Sequence, residues 1–241
     1  MPLPNNTIWH LGHSSNAIKI ADRLMIFDYP TPIRTVRKGD GLHNGRIIPE
    51  EIQDEAVYVF ISHGHDDHFT RDVFEWRKVI HKIAYIISYD IKACPDEVVQ
   101  VRPNQHLDMD GLSVKTYPST DDGVAFSIFI HRKHIYFSGD NAFWNWDGDL
   151  DDDIYIRLAL SSIDTSTPID IAFQVCDPRL AQMGAGGIYI FARQFNPHLL
   201  IPIHSFGDYA FNRKVAQRLM NQGFGEKFWC IGRVGDHYAF K

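Results

Sequence analysis

The sequence is poor in cysteine, in long apolar runs and in excess charge, and each shortage closes off a class of protein. Cys94, Cys176 and Cys230 are the only cysteines. They are odd in number and show no Cys-x-x-Cys spacing, so no disulfide framework is implied, which suits a reducing cytoplasm. No apolar run approaches the roughly 18–20 residues that a membrane helix needs. The opening MPLPNNTIWH has neither a basic region nor an apolar stretch, so no signal peptide is expected. A formal net charge of −6 argues against a general nucleic-acid binder, which usually carries basic patches, although it leaves room for a local basic groove. There is no internal repeat, low-complexity tract or flexible linker, and no Gly-x-Ser-x-Gly nucleophile motif.

What is present is a chain of 241 residues, 44% hydrophobic, with enough apolar side chains for a packed core and an even distribution along its length. It reads as one domain spanning residues 1–241. Thr7–Leu11, Ala17–Ile20 and Leu24–Phe27 read as short strands. Residues 28–50 hold Pro30, Pro32, Gly39, Gly41, Gly45 and Pro49 and read as a long irregular loop, a kind of segment that tends to be functional. Val57–Ile61 is a continuous β-branched and aromatic run, the pattern of a buried strand. A helix is expected after it, with Thr70 as N-cap, Phe69 and Phe74 as a hydrophobic staple, and Val73, Trp76 and Ile80 in helical period.

Further strands are expected at Ile83–Ser88, Leu112–Tyr117, Val124–Ile130, His134–Phe137, Ile169–Val175, Leu199–Ile203, Phe228–Ile231 and His237–Phe240. A hairpin turn at Arg132-Lys133 is expected without the usual Asn-Gly or Asp-Gly signal. Gly187–Gln194 and Tyr209–Asn221 read as helices. Two β-sheets packed between outer helices fit this order, among other mixed α/β layouts.

Thirteen histidines justify a search for metal sites. The segment His63-Gly64-His65-Asp66-Asp67-His68 places four potential ligands, His63, His65, Asp67 and His68, at the end of an apolar strand. Neutral imidazole and carboxylate suit Zn²⁺, Mn²⁺ and Fe, and Gly64 allows a tight backbone turn. His63 and His65 can face one ion while Asp67 and His68 face another. The bland alternative is a solvated loop capping a helix. Ile135–Phe137 runs into Ser138-Gly139-Asp140, and Leu199–Ile203 into His204-Ser205-Phe206-Gly207. Alone, each reads as a turn Asp or a structural His; together with the His/Asp motif they complete a ligand set.

The order HxHxDH at a strand end, then Ser-Gly-Asp, then Pro-x-His resembles the metallo-β-lactamase superfamily across nearly the whole chain. The opening Trp9-His10-Leu11-Gly12-His13-Ser14-Ser15, followed by Leu24-Met25-Ile26-Phe27-Asp28, is similar to the lactonase-like, broadly UlaG-type branch. The resemblance implies an α/β (α+β) fold, the four-layer αββα sandwich. It implies His63 and His65 on a first metal, Asp67, His68 and His204 on a second, and Asp140 bridging. Asp28 would support the ligands from behind. His13 is a further supporting candidate, either turned towards the pocket or a satisfied strand histidine.

This sequence departs from the family at the third histidine of the first metal. Its expected place falls in Tyr117-Pro118-Ser119-Thr120-Asp121-Asp122-Gly123, where Thr120 stands instead. Asp121 is the favoured replacement ligand over Asp122, and a plain turn is the alternative. Trp144 and Trp146 are candidate pocket residues or plain packing. The cluster Gly184-Ala185-Gly186-Gly187 reads as a loop, or as a helix N-terminus facing an anion. His131 and His134 read as solvated.

The implied function is hydrolysis by metal-activated water of a small ester, lactone or phosphoester, with one or two divalent ions, zinc foremost and manganese or iron as alternatives. Asp67 is the candidate to orient the nucleophile or relay its proton. A nuclease or phosphodiesterase of the same superfamily and a non-catalytic binding module are the alternatives. The expected partner is a small-molecule substrate; neither membrane nor nucleic acid is expected, and a homo-oligomer is compatible.

Overall fold

The computed structural model describes residues 3–31, 37–147 and 150–241. Pro32, counted above in the 28–50 loop, lies outside the described residues. The chain divides into two compact units, Met1–Val101 with Arg233–Lys241, and Arg102–Gly232.

The first unit is built on a seven-stranded sheet. Its strands are β1 (Thr7–Gly12), β2 (Ser15–Ile20), β3 (Arg23–Phe27), β4 (Ala56–Ile61), β5 (Lys82–Ser88) and β6 (Val99–Val101), with the last strand of the chain, His237–Ala239, beside β1. β1, β2 and β3 pair antiparallel; β3, β4, β5 and β6 run parallel. Every residue of β4 from Val57 to Ile61 is buried, as expected of a parallel strand covered on both faces. Trp9, Leu24, Ile26, Val59, Ile61, Val73, Trp76 and Tyr85 belong to one apolar core on this sheet.

The helix expected after the His/Asp motif is a 3₁₀ segment, Arg71–Lys78, rather than an α-helix. Its start follows the expectation: the Thr70 side chain accepts from Asp72 N, and the Phe69 and Phe74 rings meet at 5.7 Å. β6 was missed, being short and at an edge.

His10 on β1 is fully buried, with Nδ1 3.2 Å from Asn16 Oδ1. Burial pushes its pKa down to about 4, against the opposing pull of the Asn16 hydrogen bond. The unfolded chain takes up this proton near pH 6.5 and the folded chain only near 4, so stability is full above 6.5 and is lost as pH falls between the two values. We expect denaturant melts of the metal-free protein to lose about 2–3 kcal/mol from this group between neutral pH and about pH 4.5. A His10→Gln variant should show a correspondingly smaller loss; an identical loss in both would remove His10 as the cause.

The second unit carries a six-stranded sheet of β7 (His106–Met109), β8 (Leu112–Pro118), β9 (Val124–Ile130), β10 (Lys133–Phe137), β11 (Ile171–Val175) and β12 (Leu199–Ile203). β7 to β10 pair antiparallel, and β10, β11 and β12 run parallel. Helices α1 (Asp152–Tyr155, continuing as a π-helical turn Ile156–Leu160), α2 (Gly186–Phe195) and α3 (Tyr209–Asn221) belong to this unit. Tyr155, Leu160, Ile188, Phe191, Val215 and Leu219 join its core. β7 and α1 were not anticipated.

The hairpin between β9 and β10 turns one residue earlier than expected, at His131 and Arg132, which take φ of 46° and 64°. Positive φ at both central residues is the primed turn that matches strand twist, reached here without Asn-Gly. His134 corrects the solvated reading: it is buried, within hydrogen-bond reach of Ser127 Oγ and the Thr167 carbonyl, and stacks on Phe129. Burial lowers its pKa. Phe228–Ile231 is not a strand; Phe228 forms only a bridge to Leu200, flanking the edge strand β12 whose Pro202 cannot donate to a ladder. The glycine cluster before α2 serves close packing: a Cβ at Gly184 would lie 1.9 Å from the Asp177 carbonyl oxygen. Among the described residues no helix is long and apolar enough to cross a membrane.

Candidate metal centre

The chemistry-bearing residues stand just past strand ends in both units. In the first unit β3 delivers Asp28 and β4 delivers Ser62 and the His63–His68 loop, side by side because these strands are parallel neighbours. Asp28 is fully buried and takes φ 43°. Its Oδ1 accepts from Ser62 N at 2.7 Å. Its Oδ2 accepts from Ser62 Oγ at 2.8 Å and faces His68 Nδ1 at 2.7 Å. Ser62 Oγ also lies 2.9 Å from His63 Nδ1.

These bonds fix the tautomers. A carboxylate only accepts, so His68 Nδ1 carries the proton. The single Ser62 proton goes to Asp28, so His63 Nδ1 must donate to Ser62 Oγ. In both rings the lone pair is therefore on Nε2. The ring of His63 lies 4.0 Å from that of His68 and 4.6 Å from that of His65. His65 is exposed and the other two are buried.

Gly64 is not in the left-handed region. Its missing side chain instead leaves room for Asp90, whose Oδ2 accepts from Gly64 N at 2.7 Å and would lie 3.2 Å from a Cβ there. His13, in the β1–β2 turn, places Nε2 3.2 Å from Asp67 Oδ2, and its ring meets His68 edge-on at 5.6 Å.

In the second unit the same tautomer logic holds. His204, past β12, is buried with φ 67°, and its Nδ1 lies 3.1 Å from Asp177 Oδ2. Asp177, past the adjacent strand β11, also accepts from Arg179 N, Nε and Nη2. Burial alone would raise the pKa of Asp177; the bonds from His204 and Arg179 outweigh it and bring it down to about 2. Asp177 is thus ionised, His204 Nδ1 donates, and the lone pair is on Nε2. That atom lies 3.4 Å from Asp140 Oδ1. Two ligands on one small cation at about 2.1 Å stand about 3.0–3.4 Å apart, so this spacing fits the edge of a coordination polyhedron.

Asp140, past β10, sits in a loop braced from the β8–β9 connection. Thr120 Oγ1 accepts from Ala142 N at 2.8 Å and donates to the Ala142 carbonyl at 2.7 Å. The residue standing where the resemblance puts a third histidine therefore clamps the Asp140 loop. Asp121 and Asp122 are exposed, and neither belongs to a converging group of His, Cys, Asp or Glu among the described residues. Trp144 donates from Nε1 to the Asp140 carbonyl, meets His204 edge-on at 5.7 Å and stacks on Trp146 at 6.2 Å. The Arg179 guanidinium lies 4.1 Å from the Phe206 ring centroid and 5.7 Å from that of Trp146.

Asp177 escaped the sequence reading. Cys176-Asp177-Pro178 looks like an ordinary turn, yet an acidic residue just past an apolar strand was the same signal that marked Asp140.

The donor set suits a divalent metal: imidazoles with Nδ1 engaged and Nε2 presented, beside carboxylates. No protein-family model matches the chain, and no curated protein does. Solved structures do. A novel metallo hydrolase from the hyperthermophilic archaeon Ignicoccus hospitalis, Igni18, aligns with a TM-score of 0.68 at 15% identity over 98% of this chain and 99% of its own. The metallo-β-lactamase fold protein YhfI from Bacillus subtilis aligns at 0.62 with 15% identity over 96% and 98%. The diiron β-hydroxylase CmlA from Streptomyces venezuelae aligns at 0.63 with 11% identity, over all of this chain and 55% of its own. The mixed α/β architecture, with its two sheets and helices, is therefore the metallo-β-lactamase fold.

Proposed function

We propose that the chain is a metal-dependent hydrolase, one functional domain over residues 1–241. In this reading His63, His65, Asp67, His68, Asp140 and His204 hold one or two divalent ions. The observation that carries it is the tautomer order: three buried imidazoles, His63, His68 and His204, each have Nδ1 donating to an oxygen and Nε2 left as the electron-pair donor. His10 and His134 also donate from Nδ1, but among the described residues neither belongs to a converging group of His and Asp, whereas His63, His68 and His204 do. A bound divalent ion would supply Lewis acidity and a water acidic enough to be a nucleophile near neutral pH.

The chain's own residues account for the rest. Asp28 and Asp177 fix ring orientation from behind. Asp67, with a side chain 42% exposed, is the group able to take a proton from an incoming nucleophile or to orient it. Trp144, Trp146, Phe206 and Arg179 are linked to one another or to His204 by ring and cation–ring contacts, an apolar and cationic neighbourhood suited to a small ester, lactone or phosphoester bearing an anionic group. The UlaG-like opening points within that class to a lactone or a phosphorylated sugar acid.

Elemental analysis of the purified protein after zinc or manganese supplementation tests the reading. We expect one to two equivalents of metal, reduced in His63→Ala and His204→Ala, with lactonase or phosphoesterase activity abolished by chelation and restored by metal. Absence of bound metal in the supplemented wild type overturns it. Asp121→Ala is expected to leave metal content unchanged, since Asp121 lies exposed in its turn.

A further inference from the structure

Resting on the metal-dependent reading above, we propose that His13 is itself a metal ligand, forming with Asp67 and His68 a three-ligand set contained within the first unit. Ligand atoms of these three residues lie within 4.8 Å of one another. The His13 Nε2 to Asp67 Oδ2 separation is 3.2 Å, within the roughly 3.0–3.4 Å expected of two ligands sharing an ion at about 2.1 Å. Two imidazoles and one carboxylate are the donor set of the facial triad that binds Fe²⁺ and leaves positions open for reactants.

The backbone around His13 is built to hold it there. His13 takes φ 46°, a left-handed conformation that costs a non-glycine residue about 1–2 kcal/mol, and glycine stands one position earlier. A turn free to choose its sequence would place glycine or asparagine at this position. Two residues on, Ser15 Oγ donates to the Asp28 carbonyl at 2.6 Å, tying the turn to the residue that orients His68. The side chain is 13% exposed, so the imidazole is held against Asp67 rather than in solvent. A ligand at this position gives the second metal a histidine, while Thr120 in place of the family's histidine takes one from the first. The two ions should therefore bind with unequal affinity, the one on Asp67 and His68 being the tighter.

The test compares wild type with His13→Gly and His13→Asn, both of which accept the left-handed backbone. Each is stripped of metal, titrated with Co²⁺ and read by its visible ligand-field absorption, with Zn²⁺ affinity measured by chelator competition. Removing a residue that only supports a ligand costs about 10–100-fold in affinity. Loss of a direct ligand should cost at least about 100-fold for the tighter ion and shift the Co²⁺ bands. Millimolar imidazole should restore the bands in His13→Gly. The metal-free His13→Gly protein should melt at or above the wild-type temperature, which separates ligand loss from misfolding. Wild-type Co²⁺ bands and affinity in both variants would overturn the assignment while leaving the hydrolase reading intact. Failure of the wild type itself to bind Co²⁺ or Zn²⁺ would overturn both.

Discussion

Asp28→Ala should cost about 3–5 kcal/mol of stability in the metal-free protein. The carboxylate is fully buried and serves three donors, Ser62 N, Ser62 Oγ and His68 Nδ1. Alanine leaves all three without an acceptor in a site closed to water, and the loss of a buried partner costs far more than the net value of the bonds it made. The second consequence is on metal. With Asp28 gone, His68 can place its proton on either nitrogen and Ser62 no longer has to accept from His63. Zinc affinity should fall about 10–100-fold. Asp28→Asn separates the two effects, because an amide keeps one acceptor but offers N–H donors. Where such a donor faces His68 Nδ1, the ring proton must move to Nε2. Asn should therefore retain more stability than Ala yet bind zinc as poorly. Denaturant melts and chelator competition measure the pair, and an Asn variant with wild-type zinc affinity would refute the tautomer account.

Asp177→Ala is expected to have a parallel, smaller effect in the second unit. Asp177 is buried, holds His204 Nδ1 at 3.1 Å and accepts two bonds from the Arg179 side chain through Nε and Nη2. Its removal leaves buried His204 without its orienting anion, while the half-exposed Arg179 guanidinium falls back on solvent, for an expected loss of about 2–3 kcal/mol. The pH dependence follows from the lowered pKa. The unfolded carboxylate protonates near 3.8 and the folded one near 2, so the stabilisation is fully present above about pH 4 and is lost as pH falls towards 2. It amounts to about 2 kcal/mol. Wild type should thus lose more stability across this window than Asp177→Asn does, in urea melts stepped through it. Equal slopes in the two proteins would assign the acid sensitivity elsewhere.

The candidate centre was legible to the extent that its signals were local. The His63–His68 loop follows a strand whose unbroken apolar run announces burial on both faces, and Val57–Ile61 lies within the observed β4. β9 and β12 match their expected bounds for the same reason. What failed depended on partners distant in sequence. His134 looked solvated because the sequence cannot show that Ser127 and the Thr167 carbonyl wait on either side of its ring. Phe228–Ile231 is apolar enough for a strand, but the chain there makes one bridge to Leu200 and no ladder. β6 and β7 are short strands with alternating or charged residues at or near sheet edges, and their pairing comes from the neighbour rather than from their own composition. Thr120 was noticed as an absence of histidine; its positive use, bracing the Asp140 loop, needed Ala142 in space.

The position of the chemistry just past the strand ends also bears on how such chains diverge. Asp28, His63, Asp140, Asp177 and His204 all stand outside the ladders that hold the two sheets together. The ladders are satisfied by main-chain atoms, and the cores ask only for apolar volume, so strand interiors can drift through many side chains at little cost. Loops beyond the strand ends can be exchanged without disturbing register. Inheritance of the scaffold and inheritance of the chemistry are thus nearly independent. A fold can thus stay recognisable at a TM-score of 0.68 with 15% identity, while what such a chain does is left to the few residues at its strand ends.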